Sequence, residues 1–163
     1  MSKMLNAYLA GALRTIDDYK WRKEITERFE GRLICFTPPD ILSEKPNDKS
    51  LLAGPEWFKV QKFRPKNYMT QRTDLFLIDK ADIVIANLLA LSDGYPCIGT
   101  LVEMGYARGK DKFILSVSSP DYKAHPFVGF TADGAFNTIE EMIEYLDHVV
   151  STTTGKSDIF RRL

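Results

Sequence analysis

The sequence predicts an α/β fold: a doubly wound, mostly parallel five-stranded sheet in a three-layer α/β/α sandwich, Rossmann- or flavodoxin-like. Short apolar runs alternate with amphipathic helical segments, as they do in βαβ units. Residues 83–86 are apolar at every position, which is typical of a central parallel strand that is buried on both faces. A length of 163 residues suits one such domain.

The elements follow in order. The pattern predicts strands at residues 4–10, 32–36, 83–86 and 112–117. It predicts helices at residues 16–29 and 68–80, a third that opens at Gly99-Thr100, and a fourth at residues 138–150. Thr138 and Glu141 form a capping box at the start of the last helix. Asp82, at the start of the central strand, is interpreted as structural.

Composition excludes several classes of protein. Lys plus Arg and Asp plus Glu both number 22, and no basic stripe is present, so nucleic acid is not an expected partner. No apolar run reaches the ~18 residues of a membrane span. Two cysteines make no disulfide framework, two histidines make no zinc site, and the N-terminus has no signal-peptide pattern. We expect a cytoplasmic protein without metal or cofactor.

Residues 37–67 differ from the rest of the chain, because five of the eight prolines lie there. So long a connection is often a lid or a binding loop. Trp57 and Phe58 would either cover an aromatic ligand or pin the loop to the body of the protein. The predicted organisation is one domain over residues 1–150, with this inserted loop, followed by a polar tail over residues 151–163.

In open α/β sheets the ligand crevice lies beyond the carboxyl ends of the strands. Gly11 and Asn87 follow the first and the central strand there. Gly11 would allow close backbone approach to a ligand, or would simply form a turn. The chain has neither the GxGxxG pattern after the first strand nor the GxxxxGK[ST] pattern, so dinucleotide and P-loop sites are not favoured.

The pattern leaves the chemical role of Glu103 open. Thr100 and Glu103 match a capping box, which explains both residue types without any chemistry. A carboxylate in a first helical turn is also stabilised in its ionised form by the helix dipole, by about 0.3–1 kcal/mol. That ionised form is the one a carboxylate nucleophile needs. Asp74 within a helix and Tyr8 within a strand are, on pattern alone, ordinary surface and packing residues.

Three motifs follow one another along the chain: Tyr8-Leu-Ala-Gly11, then Asp74-Leu-x-x-Ile-x-x-Ala-Asp82, then Gly99-Thr-x-x-Glu-x-Gly-Tyr-Ala107. Together they resemble the nucleoside 2-deoxyribosyltransferase family, which also contains the 2′-deoxynucleoside 5′-phosphate N-hydrolases. The resemblance extends from the first strand to the last helix. The third motif is the most specific of the three.

The resemblance implies a retaining N-glycosyl transfer. Glu103 would attack C1′ of a deoxyribose and displace the base, Asp74 would protonate that base, and the Tyr8 hydroxyl would orient Glu103. The partners would be a deoxynucleoside or deoxynucleotide and a free nucleobase. Another base would then accept the sugar. The first alternative is a 2′-deoxynucleoside 5′-monophosphate N-glycosidase, a hydrolase in which water takes the place of the accepting base. A nucleotide-binding module without turnover is the second alternative.

The resemblance also leaves the 5′ group of the substrate open. Cys97 stands where the transferases usually carry Asp and the phosphate hydrolases carry Ser. Arg14 resembles the basic loop of the hydrolases, or is simply an exposed residue before a helix. The remaining predicted substrate-binding residues are Gly11, Asn87, Gly99, Thr100 and His125. The family implies a homo-oligomer with shared sites near His125, although an ordinary surface histidine is the alternative there.

Overall fold

The computed structural model describes residues 4–13, 16–37 and 64–153. Most of the predicted loop, with Trp57 and Phe58, and most of the predicted tail lie outside the described residues. The described part contains one sheet of five strands, all of them parallel. These are β1 (Leu5–Gly11), β2 (Leu33–Phe36), β3 (Ile83–Asn87), β4 (Phe113–Val117) and β5 (Gly134–Phe136).

The strand order is β2-β1-β3-β4-β5, which is the flavodoxin-like order. The order reverses between β1 and β3, so the crevice expected for a ligand opens beyond the carboxyl ends of those two strands. The predicted α/β fold class is thereby confirmed.

Six α-helices lie in the described residues: α1 (Lys20–Arg28), α2 (Arg64–Lys80), α3 (Ile98–Gly109), α4 (Pro120–Lys123), α5 (Pro126–Gly129) and α6 (Ile139–Thr153). Two 3-10 turns, Ile16–Tyr19 and Leu89–Asp93, precede α1 and α3. None of the described helices is long and apolar enough to cross a membrane.

Two apolar clusters cover the two faces of the sheet and give the three layers. One packs α1 and α6 on the sheet through residues such as Ile25 and Leu146. The other packs α2 and α3 on the opposite face through Ile78 and Met104. Successive strand residues point to opposite faces, so Tyr8 lies on the face covered by α2 and α3. This alternation places the Tyr8 side chain next to the two helices that carry Asp74 and Glu103.

Several predicted boundaries move. The second helix begins at Arg64 rather than at residue 68, and the last helix continues to Thr153. β5 was not located in the sequence, because three residues beginning with Gly134 give no periodicity to read. The predicted cap of α6 is present in part: the Glu141 N–H donates to Thr138 Oγ1 over 3.2 Å, while the Glu141 carboxylate accepts from the N–H of Asn137.

Asp82 has the structural role that the sequence indicates. Its carboxylate accepts a hydrogen bond of 2.9 Å from the N–H of Asn6, and its own N–H donates to the Asn6 carbonyl over 2.8 Å. These two bonds join the connection that precedes β3 to the beginning of β1. They fix the register of β1 against β3, and therefore the position along the strand at which Tyr8 faces α3.

Candidate active site

Tyr8 and Glu103 are joined by a direct hydrogen bond. The Tyr8 side chain is fully buried, and its hydroxyl donates to Glu103 Oε1 over 2.8 Å. The two residues are 95 positions apart in the chain, so the contact depends on the packing of α3 against β1. A phenol held in one orientation by its strand fixes the rotamer of the carboxylate that it contacts. The hydrogen bond that the family resemblance implies is thus present.

Asp74, on α2, completes a cluster of three ionisable side chains. Its carboxyl group lies close enough to the Tyr8 hydroxyl and to Glu103 for its negative charge to act on both. Asp74 Oδ1 is buried and has no hydrogen-bond partner among the described residues. A buried carboxylate oxygen without a donor is costly in its charged form, and the cost is smaller when the group is protonated and neutral.

The electrostatics of the cluster differ from those of exposed carboxylates. Burial raises the pKa of Glu103 to about 7; the Tyr8 hydrogen bond and the Arg22 charge oppose the rise, and the Asp74 charge adds to it. Burial raises the pKa of Asp74 to about 6, again opposed by the Tyr8 hydroxyl. The pKa of Tyr8 lies well above its usual range, because of burial and the two adjacent carboxylates. Tyr8 therefore remains a phenol that donates.

The predicted Thr100–Glu103 capping box is wrong. α3 begins at Ile98, and Cys97 is its N-cap residue, in the left-handed conformation with φ 45°. Glu103 therefore lies in the second turn, where the helix dipole has little effect, and its carboxylate contacts Tyr8 instead of the helix's first amides. The dipole does not explain the ionisation of Glu103. Thr100 is 4% exposed and packs in the interior.

Gly11 has a packing role in the described structure. A Cβ atom added at this position would lie 3.1 Å from Trp21 Cζ2, 3.2 Å from Arg22 Nη2 and 3.2 Å from the Asn87 carbonyl oxygen. The close approach that the sequence predicts for Gly11 is thus made at least in part by protein groups. Only glycine fits there without displacing a neighbour.

A cavity of about 210 Å³ opens at the switch point of the sheet. Its walls include Ala12 and Asn87 at the ends of β1 and β3, together with Trp21, Asp18 and Asp93. Asn87 thus lies where a substrate-binding residue is expected, and its side-chain oxygen also accepts from the N–H of Leu89 over 3.0 Å. The volume is below the roughly 300–1,000 Å³ of typical ligand pockets, and the lining does not include Tyr8, Asp74 or Glu103.

A family model described as nucleoside 2-deoxyribosyltransferase matches residues 7–142, which is most of the chain. The chain belongs to the nucleoside 2-deoxyribosyltransferase family. The resemblance seen in the three motifs is confirmed. Members of this family are expected to act on nucleosides or nucleotides and nucleobases, which places the protein in the general class of glycosyl-transferring or glycosyl-hydrolysing enzymes.

Two solved structures share the fold of this family member. One is the 2-deoxyribosyltransferase of Bacillus psychrosaccharolyticus, 16% identical with a TM-score of 0.58, covering 89% of this chain and 95% of the other. The second is the CMP N-glycosidase of Clostridium botulinum, 15% identical with a TM-score of 0.51, covering 87% of this chain and 98% of the other. No curated protein matches the sequence significantly.

The remaining predicted site residues of the deoxyribosyltransferase family member are placed as follows. Cys97 is buried before α3, and Gly99, in the first turn of that helix, has open space where a Cβ would lie. His125 is exposed, and its Nδ1 accepts from the N–H of Phe127 over 3.3 Å, which caps the short helix α5. Arg14 lies outside the described residues. The substrate contacts of these residues stay predictions.

Proposed function

We propose that the protein is a nucleoside 2-deoxyribosyltransferase. It would cleave the N-glycosidic bond of 2′-deoxynucleosides through a covalent deoxyribosyl ester on Glu103 and pass the sugar to another base. The observation that supports this is the Tyr8–Glu103 hydrogen bond of 2.8 Å beside the buried Oδ1 of Asp74, which has no donor among the described residues. Two carboxyl groups in unlike environments are the arrangement that separates a nucleophile from an acid.

We assign the roles of the two carboxyl groups from the family resemblance, and the Tyr8 hydrogen bond supports the assignment. Burial raises the pKa of Glu103 to about 7 and that of Asp74 to about 6, and the Tyr8 hydroxyl, which donates to Glu103 over 2.8 Å, opposes both rises. That bond stabilises the ionised form of Glu103. Asp74 Oδ1 accepts no hydrogen bond from the described residues, which favours the protonated form that an acid needs. Glu103 is then the nucleophile and Asp74 the acid.

In the first half-reaction, a carboxylate oxygen of Glu103 forms a bond to C1′ while the bond from C1′ to the base nitrogen breaks. The electron pair of the broken bond passes to the base, and the Asp74 proton neutralises it. A nucleobase is a poor leaving group as an anion, and general acid help of this kind is worth ~10²–10⁴-fold. The products are the free base and a glycosyl ester of inverted configuration.

In the second half-reaction, ionised Asp74 accepts a proton from the incoming base. The base nitrogen attacks C1′, and the Glu103 carboxylate departs as an anion stabilised by Tyr8. Two inversions give net retention, as in retaining glycosidases. Water in place of the base would give hydrolysis through the same intermediate.

Cys97 supports a second candidate, a 2′-deoxynucleoside 5′-monophosphate N-glycosidase. It is 2% exposed, beside the first turn of α3. A neutral thiol would not repel a phosphate as the usual Asp of the transferases would, although a thiol is a weak hydrogen-bond donor. The 5′ substituent of the substrate is what separates the two candidates.

Incubation with deoxyinosine plus adenine, and separately with deoxynucleoside monophosphates, tests the proposal. New deoxyadenosine is expected, whereas free base with deoxyribose phosphate would favour the second candidate. Ligand-dependent stabilisation without base release would favour a binding module. Mass spectrometry should show a deoxyribosyl adduct on Glu103, and Glu103→Gln should abolish both adduct and base release. The exposed Glu140→Gln is the matched control and should retain activity.

We also propose that the protein forms a homo-oligomer whose subunits meet near α5. The family resemblance implies shared sites there, and Phe127 and Phe130 are 79% and 82% exposed. Two aromatic side chains so close together are unusual on a surface that only water contacts. Light scattering should give more than one subunit for the wild type and fewer for Phe130→Asp. A wild-type monomer at micromolar concentration would contradict this.

A further inference from the structure

Asn87 is the last residue of the central strand β3 and lies beside Gly11 of β1, where the strand order reverses. Its side-chain oxygen accepts a hydrogen bond of 3.0 Å from the N–H of Leu89, two residues further along the chain. Because an N–H can only donate, this bond identifies which end of the amide is the oxygen. The Nδ2 group, with its two donors, is therefore directed away from the turn that follows β3.

The two Nδ2 donors of Asn87 have no acceptor in the described part of the chain. The residue is half-buried, and Nδ2 is not among the atoms that are both fully buried and unpaired, so solvent reaches it. Asn87 also lines the cavity of about 210 Å³ at the switch point. A hydrogen-bond acceptor placed in that cavity can therefore pair with Nδ2.

A purely structural turn is the competing interpretation of Asn87. The bond from the Leu89 N–H closes an Asx turn at the start of the 3-10 turn Leu89–Asp93. Such a turn needs only a side-chain oxygen, which Asp or Ser would supply equally well. The turn makes no use of the two amide donors, so their role lies in the cavity that Asn87 lines.

Other walls of this cavity are held in place by Arg22 of α1, which is 2% exposed. Its guanidinium donates to the carbonyls of Gly11 and Ala12, at the end of β1, over 3.0 and 3.3 Å. It also donates to the carbonyl of Asp18 over 2.7 Å and lies 4.6 Å from the centre of the Trp21 ring. These contacts fix three residues of the lining, so the cavity is preformed and costs a ligand little ordering.

The cavity and the cluster around Glu103 lie on opposite sides of the same strand ends. Asn87 shares its face of β3 with Ile85, which α1 and α6 cover, whereas Tyr8 lies on the face of α2 and α3. Gly11, beside Asn87, is three residues beyond Tyr8, about 10 Å along the strand. Ligands of such folds bind across the strand ends at the switch point. A nucleoside whose C1′ lies at Glu103 is long enough to reach Asn87 with one end.

We propose that Asn87 is a specificity-determining residue of the substrate site, which donates from Nδ2 to a neutral oxygen of the nucleoside. Two carboxylates, Asp18 and Asp93, lie in the same walls, so a neutral oxygen suits the cavity better than a phosphate. The oxygen is either a carbonyl of the base or the 5′-hydroxyl. This inference rests on the proposed function, because it takes a nucleoside as the ligand.

The test is calorimetric binding of deoxyinosine to the Glu103→Gln protein, with Asn87→Ser or Asn87→Asp added. Both added variants keep an oxygen for the Leu89 N–H and lose the two donors. If the base carbonyl is recognised, both should weaken binding by about 5–100-fold. If the 5′-hydroxyl is recognised, only Asn87→Ser should weaken it, because a hydroxyl can donate to the carboxylate of Asn87→Asp.

Two analogues confirm the source of the oxygen. Purine 2′-deoxyriboside lacks the base carbonyl, and 2′,5′-dideoxyinosine lacks the 5′-hydroxyl. The loss caused by Asn87→Ser should disappear with the analogue that lacks the recognised oxygen. The control Asn137→Asp, at an exposed position whose amide oxygen accepts from Lys123, should leave the Kd of deoxyinosine unchanged.

An unchanged Kd in Asn87→Ser, or a loss of equal size with deoxyinosine and both analogues, overturns the proposal and leaves only the turn. Should the Asn87 variants fail to fold, the side-chain amide signal of Asn87 in ¹⁵N–¹H spectra of the Glu103→Gln protein decides. It should shift with deoxyinosine and stay in place with one of the two analogues, and a signal that deoxyinosine leaves in place overturns the proposal.

The proposed function fails separately from this inference. If the Glu103→Gln protein does not bind deoxyinosine, the inference is overturned, while base release by the wild type still decides the function. If the wild type binds nucleosides without releasing base, the proposed function is refuted, and the comparison of Kd values still decides the role of Asn87.

Discussion

Replacing Glu103 by Gln should stabilise the protein at neutral pH while it abolishes activity. Glutamine has the same shape, cannot ionise, and can still accept the Tyr8 hydrogen bond through its amide oxygen. The burial that raises the pKa of Glu103 from 4.5 to about 7 disfavours the charged form in the folded protein. The substitution removes that charged form and keeps the packing.

The sign and the size of this gain in stability follow from the pKa of Glu103 in the unfolded protein and in the folded protein. Below about pH 4.5 the carboxyl is protonated in both the folded and the unfolded protein, so glutamine brings no gain. Between pH 4.5 and about 7 the unfolded chain ionises first, so wild-type stability falls as pH rises, and above pH 7 the loss is constant. At 1.36 kcal/mol per pKa unit the gain at pH 8 is at most about 3 kcal/mol, and partial solvent access reduces it to about 1–3 kcal/mol.

Urea unfolding, followed by the fluorescence of the buried Trp21, measures this gain at pH 4 and at pH 8. At pH 8 the variant should unfold about 3–10 °C higher in a thermal scan, and at pH 4 it should match the wild type. The exposed Glu140→Gln should stay within about 0.5 kcal/mol of the wild type at both pH values. Equal or lower stability of Glu103→Gln at pH 8 would show that Glu103 is not buried as described, and the argument for its altered ionisation would fail.

Three further outcomes follow from the same contacts. Tyr8→Phe keeps the ring volume but loses a hydrogen bond to a charged group, so kcat for base release should fall about 10–100-fold with the fold intact; an unchanged kcat would contradict the orienting role. Asp74→Asn should slow the release of unactivated bases by ~10²–10⁴-fold, and the loss of rate should be smaller with bases that leave readily as anions. The control Asp79→Asn, at an exposed position on the same helix, should retain wild-type rates. Gly11→Ala should lower the free energy of unfolding by about 1–3 kcal/mol because its Cβ would crowd three neighbours, while Gly105→Ala, with open space around it, should raise stability by about 0.5–1 kcal/mol in urea titrations.

The sequence was sufficient for the architecture because the decisive features are local. The uniformly apolar residues 83–86 mark the central strand, and alternating helical stripes imply parallel connections. β5 could not be located, because its three residues show no periodic pattern and form a strand only through their pairing with β4. The start of α3 was misplaced because Cys97 has a left-handed conformation that cysteine rarely adopts.

For the candidate site, too, some features could be predicted from the sequence and others could not. Residue pattern alone left Tyr8 and Asp74 as ordinary residues and the role of Glu103 open, and only the order of the family motifs brought the three together. The burial of Arg22 was not predicted. Arg22 lies three residues before Ile25, on the helical stripe that faces the core, and a charged residue on that stripe was the available signal. The energetic reason for its burial is tertiary, because its acceptors come from another element.

Burying the cluster of Tyr8, Asp74 and Glu103 lowers the stability of the folded protein. The proposed mechanism depends on that burial. A nucleophile that is exposed to water is screened and hydrated, whereas a partly buried carboxylate responds strongly to one phenol and one adjacent acid. On the same face of the sheet, Ser116 is fully buried and its hydroxyl finds no partner in the described residues. Unsatisfied polar atoms beside α2 and α3 lower stability where reactivity is needed. If Glu103→Gln and Asp74→Asn both stabilise the folded protein while the first abolishes and the second slows base release, the burial that weakens the fold is the same burial that prepares the two carboxyl groups for opposite roles.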